Sequence, residues 1–391
     1  MSSSDQASEL IDPFGRKVEY VRLSVTDKCN MRCFYCIPQG FRDFEEPDNW
    51  LTFDEIERLM RAFASLGVRR VRLTGGEPLV RRNLPQLAAR LAAIDGLVDL
   101  SLSTNAALLG QHAAALKQAG VSRINVSLDS LDADRFREVT RGDLEPVLAG
   151  LEEARRVGLA PVKINMVAMK GINDDEFEAM VDFCLENGFT LRLIETMPVG
   201  DTGRDAVDRY IDLQQVRARL AQRYALIPDV MPGGGPARYV RVGGTDLRIG
   251  FITPISQHFC ETCNRVRLSV DGTLYLCLGQ EDKVEFRPML RGGASHEELR
   301  EAIDPILFPV HMGDTDDPHI FYWTHEWRSP PTDESGVLKT FQGTGTGITF
   351  ACNNVTTPGF VSFLDNVTVP NLPTGLLANK AWEVFNTGPH Y

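Results

Sequence analysis

No apolar run in this chain reaches the roughly 18 residues that a membrane span needs, which excludes a helical membrane protein. The first residues, Met1-Ser2-Ser3-Ser4-Asp5-Gln6, lack both the basic residues and the apolar core of a secretory signal. The expectation is a cytoplasmic protein. Excess positive charge is missing too. With 41 Lys and Arg against 53 Asp and Glu, the net charge is −12, so no nucleic-acid surface is expected and any polyanion must be met locally. Cysteine is sparse, eight residues in 391, and is not laid out as a disulfide framework. Six of the eight fall in two tight clusters, and Cys184 and Cys352 stand apart, which is how metal sites distribute thiols. There is no solenoid repeat and no charged low-complexity block. What is present is a chain that is 43% hydrophobic, enough for a sizeable core.

Strand-like apolar runs alternate six times with segments of helical period. The runs at 18–25, 70–74, 98–103, 123–127, 162–166 and 191–194 read as strands, and those at 54–66, 84–94, 111–119, 146–157 and 175–186 as helices. Strand, helix, strand at this spacing means βαβ units and a parallel sheet. The expected fold is α/β, a partial (β/α)6 TIM-like barrel over residues 1–223. From about Tyr224 the pattern changes to short strands broken by Gly and Pro. Residues 224–304 are expected to close the barrel, and residues 305–391 show neither period.

Cys29, Cys33 and Cys36 follow the first strand at C-x3-C-x2-C spacing. Three soft thiolates so close can hold three irons of a [4Fe–4S] cube and leave the fourth iron open. A zinc knuckle or a disulfide pair is the alternative, although zinc prefers four ligands and C-x2-C spacing. The second strand ends in Gly75-Gly76-Glu77-Pro78, whose glycines let backbone approach a ligand and whose Glu can accept from an ammonium group. In parallel barrels the chemistry collects at the C-terminal ends of the strands. Here those ends carry Ser103-Thr104-Asn105, Asn125-Val126-Ser127, Lys163-Ile164-Asn165 and Glu195-Thr196-Met197.

A second thiol set, Cys260, Cys263 and Cys277, surrounds Arg265-Val266-Arg267. By spacing alone it suits zinc or a second cube with one free iron. Arg265 and Arg267 alternate on a strand and share a face. Arg22, Arg72, Lys163 and Arg192 lie on or at the ends of barrel strands. Buried charge needs a partner, and two partners compete: a phosphate-bearing substrate, which suits the planar Arg fork, or barrel carboxylates such as Glu77 and Glu195.

The three-Cys loop resembles the signature of the radical S-adenosylmethionine (SAM) superfamily. Together with Gly75–Pro78 and the Cys260–Cys277 cluster, it makes residues 12–303 similar to the GTP 3′,8-cyclase family, which opens molybdenum-cofactor biosynthesis. The resemblance implies two [4Fe–4S] clusters, on Cys29, Cys33 and Cys36 and on Cys260, Cys263 and Cys277. It implies SAM contacts at Tyr35, Gly76, Ser127, Asn165 and Met197, and GTP contacts at Arg22, Arg72, Ser103, Lys163, Arg265, Val266 and Arg267. Arg192 joins the substrate set on its position, and Arg265 and Arg267 are assigned catalytic roles. Position 103 is usually Thr in that family, and Ser103 keeps the hydroxyl. The implied reaction is removal of the C3′ hydrogen of GTP by a 5′-deoxyadenosyl radical and attack of C3′ on C8. The implied partners are GTP, an electron donor such as flavodoxin or ferredoxin, the next enzyme making cyclic pyranopterin monophosphate, and a second copy in a homodimer. Family members usually end in Gly-Gly, whereas this chain ends Gly388-Pro389-His390-Tyr391. Another radical SAM enzyme with an auxiliary cluster, or a catalytically impaired metal-binding scaffold, is therefore the alternative.

Overall fold

The computed structural model describes residues 9–307, apart from 13–14, 38–39, 43, 46, 198–207, 232–234, 258–262 and 278–282. Cys260, Cys352 and the stretch from 308 onward lie outside the described residues. Within them one sheet runs through β1 (Tyr20–Ser24), β2 (Arg70–Thr74), β3 (Asp99–Thr104), β4 (Arg123–Ser127), β5 (Val162–Ala168) and β6 (Thr190–Glu195), each parallel to the next. The intervening helices are α1 (Phe53–Ser65), α2 (Leu84–Ala92), α3 (Leu109–Gln118), α4 (Ala133–Thr140), α5 (Leu144–Arg156) and α6 (Phe177–Asn187). Local chemistry sets their ends. Thr52 and Glu55 form a reciprocal capping box at the start of α1, with bonds of 3.2 and 2.7 Å. Ile56, Leu59, Met60 and Phe63 give α1 one apolar face against the sheet. Helix α4 was not foreseen, because eight residues with three buried side chains are too few to display a period.

The parallel part is eight strands wide instead of six. After α7 (Leu213–Leu220), a hairpin of β7 (Leu226–Asp229) and β8 (Arg238–Val242) leads into β9 (Arg248–Ile252), which lies parallel beside β6. Strand β10 (Arg265–Leu268) lies parallel beside β1, and β11 (Thr273–Tyr275) and β12 (Lys283–Glu285) continue outward antiparallel. Two short helices follow, α8 (Arg287–Arg291) and α9 (His296–Leu307). The sheet begins at β12 and ends at β7, so the barrel is an open one.

Each parallel strand alternates. One set, including Val21, Leu23, Val71, Leu73, Ile164 and Leu193, joins the apolar core under the helices. The other set is buried and polar: Arg22 on β1, Arg72 on β2, Ser103 on β3, Asn125 on β4, Lys163 on β5 and Arg192 on β6. Successive side chains point to opposite faces of a strand, so the polar set lines the inside. A closed eight-stranded barrel normally fills that space with branched apolar residues. A polar interior is arranged for something else.

Candidate active site

Strand β1 delivers the first cysteine loop to the C-terminal face of the sheet. Cys29, Cys33 and Cys36 line one pocket of about 460 Å³, counted to its open mouth, together with Tyr35, Gly76 and Ser127. Asn165 is buried on the neighbouring strand, in register with Ser127, and Met197 follows the end of β6. The loop is clamped by α4. The Arg32 and Phe34 N–H groups donate to the Thr140 and Val139 carbonyls at 2.8 and 3.1 Å, using last-turn acceptors that a helix cannot satisfy itself. From the other side, the Gly76 N–H donates to the Thr26 carbonyl at 2.8 Å. A Cβ on Gly76 would stand 2.4 Å from the Lys28 oxygen and 2.7 Å from that of Asp27, so the Cys29 loop closes only over glycine.

The three thiols line one pocket, and soft thiolates are the ligands that an iron–sulfur cluster takes. Burial pushes the Cys29 thiol up to about 11, and raises Cys33 and Cys36 as well, with the neighbouring sulfurs adding to the effect. Loading a cluster therefore displaces protons.

Glu77 already has partners within the fold. It is fully buried and accepts from Thr104 Oγ1 at 2.8 Å and from the Leu79 and Asn105 N–H groups at 3.0 and 2.6 Å. Burial raises it to about 7 despite these bonds. It ties the end of β2 to the end of β3 and so holds Asn105, whose amide donates to Asn30 at 2.8 Å and reaches the Cys29 sulfur at 3.9 Å. Asp129 is a pocket residue that strand reading did not single out. It accepts from the Tyr35 hydroxyl at 2.5 Å and from the Val167 N–H at 2.9 Å, and burial lifts it to about 6. Its place three residues beyond Asn125-Val126, just past β4, was the available signal.

The cations form rows across the inside of the sheet. Arg267, Arg22 and Arg72 sit opposite one another on β10, β1 and β2, with Arg265 opposite Tyr20 one step below. Val266 points the other way, into the apolar core. Glu77 is spoken for, and Glu195 accepts from the Ile255 and Ser256 N–H groups at 3.0 and 3.1 Å, from Ser256 Oγ at 2.5 Å and from Tyr210 at 3.3 Å. Among the described residues neither carboxylate pairs with an arginine. Among the described residues no carboxylate lies in ion-pair range of Arg72, Lys163 or Arg192. Arg192 donates to Asn125 Oδ1, and Arg72 stacks over the Tyr20 ring at 5.3 Å. Burial, then Arg267 and Arg72, press Arg22 well below the ordinary arginine range, and burial also lowers Arg72. Burial, with Arg192, Arg123 and Arg72, brings Lys163 down to about 7. These cations repel one another. An anion would relieve them.

At the second thiol set, Cys263 and Cys277 are described and Cys260 is not. Cys263 Sγ accepts from Arg265 at 3.8 Å. Burial alone would raise this thiol, but the Arg265 charge and hydrogen bonds outweigh it and hold it below the usual range. A thiolate held beside a cation is ready for metal.

Residues 23–184 match the family described as Radical SAM superfamily, and residues 189–308 match Molybdenum Cofactor Synthesis C. The GTP 3′,8-cyclase of Hydrogenovibrio crunogenus is 50% identical over 301 residues, covering 75% of this chain and 90% of that protein. Those of Nitrobacter hamburgensis and Paracoccus denitrificans are each 47% identical, covering 78% of this chain and 89% of theirs. In fold, the chain is similar to SuiB of Streptococcus suis, crystallised with S-adenosylmethionine, at a TM-score of 0.53 and 18% identity over 73% of this chain and 67% of that one. Radical SAM membership implies one [4Fe–4S] cluster and SAM, and the Cys29 pocket has the thiols to fit them. The chain belongs to the GTP 3′,8-cyclase family of the radical SAM superfamily.

Proposed function

We propose that the chain converts GTP to (8S)-3′,8-cyclo-7,8-dihydroguanosine 5′-triphosphate, the first step of molybdenum-cofactor biosynthesis. One observation carries the reading: an acidic chain places Arg72, Lys163 and Arg192 inside its barrel with no carboxylate for any of them among the described residues. A triphosphate carries the charge and the acceptor geometry those side chains lack. In this reading Arg22, Arg72, Lys163 and Arg192 grip the nucleotide, Ser103 offers its hydroxyl from β3, and Arg265 and Arg267 orient it from β10. Cys29, Cys33 and Cys36 hold the first cluster, Tyr35, Gly76, Ser127, Asn165 and Met197 border SAM, and Cys260, Cys263 and Cys277 hold a second cluster. When bound, the first cluster and SAM supply the one-electron chemistry that removes the C3′ hydrogen of GTP. The chain's part is to keep C3′ and C8 aligned and water out. An electron donor such as flavodoxin or ferredoxin, a cytoplasmic setting and hand-over of the product to the next pathway enzyme belong to the same proposal.

Anaerobic reconstitution tests it. About eight irons per chain, two cubes of four, with 5′-deoxyadenosine appearing in step with cyclised nucleotide, is the expected result. Zinc in place of iron, or 5′-deoxyadenosine without loss of GTP, would overturn it.

A further inference from the structure

Strand β8 belongs to the antiparallel hairpin, yet one of its side chains reaches the inside of the barrel. Tyr239 on β8 lies opposite Gly250 on β9, and Gly250 lies opposite Arg192 on β6, which in turn faces Asn165 on β5. Residues in one such row share a face. Gly250 leaves that face bare, and the Tyr239 ring occupies the space: a Cβ at 250 would stand 2.7 Å from Tyr239 Cε1 and 3.1 Å from Cδ1. The ring crosses over Gly250 and reaches the Lys163 ammonium, whose nitrogen lies 5.8 Å from the ring centroid. The other charged groups that Lys163 feels are Arg192 on β6, Arg123 on β4, Arg72 on β2 and Asp99 on β3. Three of those four are cations, and Asp99 is already bonded to Arg123. The negative face of an aromatic ring attracts an ammonium.

We propose that Tyr239 is a positioning residue: its ring, seated over Gly250, holds the Lys163 ammonium charged and in place on the inner face of the barrel, ready for the anionic part of the substrate. This rests on the nucleotide-binding reading above and adds to it a residue from the C-terminal hairpin. It also gives Gly250 a reason, since any side chain there would drive the ring away. The contact fits the downward pressure on Lys163 from burial and like charge, because a group held charged against such pressure needs each favourable neighbour it has.

The test uses the anaerobically reconstituted full chain with Tyr239→Met, which fills the space without a π face, and Tyr239→Phe, which keeps the face and drops the hydroxyl. In ligand-free protein, nuclear magnetic resonance of the isotopically methylated lysines, with Lys163→Arg assigning the signal, follows the Lys163 titration. The expected result is a lower midpoint in Tyr239→Met and an unchanged one in Tyr239→Phe. GTP affinity near neutral pH should fall about tenfold in Tyr239→Met and stay within about twofold in Tyr239→Phe. An unmoved Lys163 midpoint in Tyr239→Met, or equal damage from both variants, overturns the proposal. If Tyr239→Met does not fold, 3,5-difluorophenylalanine at 239 keeps the shape while weakening the ring's negative face, and the same downward shift is required. Should the midpoint move while the unaltered protein binds no GTP, the contact stands and the nucleotide reading falls.

Discussion

Arg72→Met separates a cation held for a ligand from a cation held for the fold. The substitution keeps the aliphatic stem and removes the guanidinium, which stacks on Tyr20 and sits one strand from Arg22. Charges about 6 Å apart on neighbouring strands repel by roughly 3 kcal/mol at an effective dielectric near 20. Losing the Tyr20 stack gives back about 1–2 kcal/mol. The empty protein should thus be more stable by about 1–2 kcal/mol. Binding should move the other way. A charge-assisted hydrogen bond to phosphate is worth about 1.5–3 kcal/mol, which is roughly ten- to hundredfold in affinity. If Arg72 were instead half of a buried ion pair, its loss would cost about 3–5 kcal/mol of stability. Thermal melts and GTP titrations on one preparation read both quantities. A large fall in melting temperature with unchanged GTP affinity refutes the reasoning.

Cys33→Ala should lose the first cluster and all 5′-deoxyadenosine formation, as measured by iron content and product analysis; activity surviving in reduced protein would contradict the thiol assignment. Cys263→Ala should stop GTP turnover while leaving some uncoupled SAM cleavage, and normal cyclisation by this variant would make the second set merely structural. Gly76→Ala drives a methyl into the Lys28 and Asp27 carbonyls, so it should cost several kcal/mol, as overpacking and backbone shift do, and lower iron uptake; a melt matching the unaltered protein would contradict the close approach. Lys163 titrates near 7 in the folded chain against 10.5 when unburied. The unfolded chain then binds more protons between those values, so stability should rise with pH across that window. Lys163→Met should flatten this part of the melting profile, and an unaltered slope would count against it.

The six βα repeats were legible because each strand and its helix carry their period within a few residues. The inner arginines were legible because V-R-L recurs in β1, β2 and β10. Strands β9 and β10 could be read as short strands, but not as the parallel neighbours of β6 and β1, since that pairing spans most of the chain and leaves no local trace. The partners of Glu77 were hidden for a related reason. Thr104 closes the next strand and Asn105 follows it, and only their approach shows the carboxylate to be bonded within the fold. Tyr239 and Asp129 act through side chains that cross between strands, which alternation alone does not reveal.

The pairing of β1 with β10 also orders events in the making of the protein. Tyr20 waits for Arg265, about 245 residues later, and at about 5–20 residues per second that is roughly 12–50 s of synthesis. Meanwhile β1 presents a bare edge, as β6 does until β9 is made, and bare edges invite association with other chains. A nascent chain stalled before 265 would have its first thiol loop and four of its inner cations, yet neither strand β10 nor the arginines it brings. The row of inner cations is therefore completed only by a chain translated past that point.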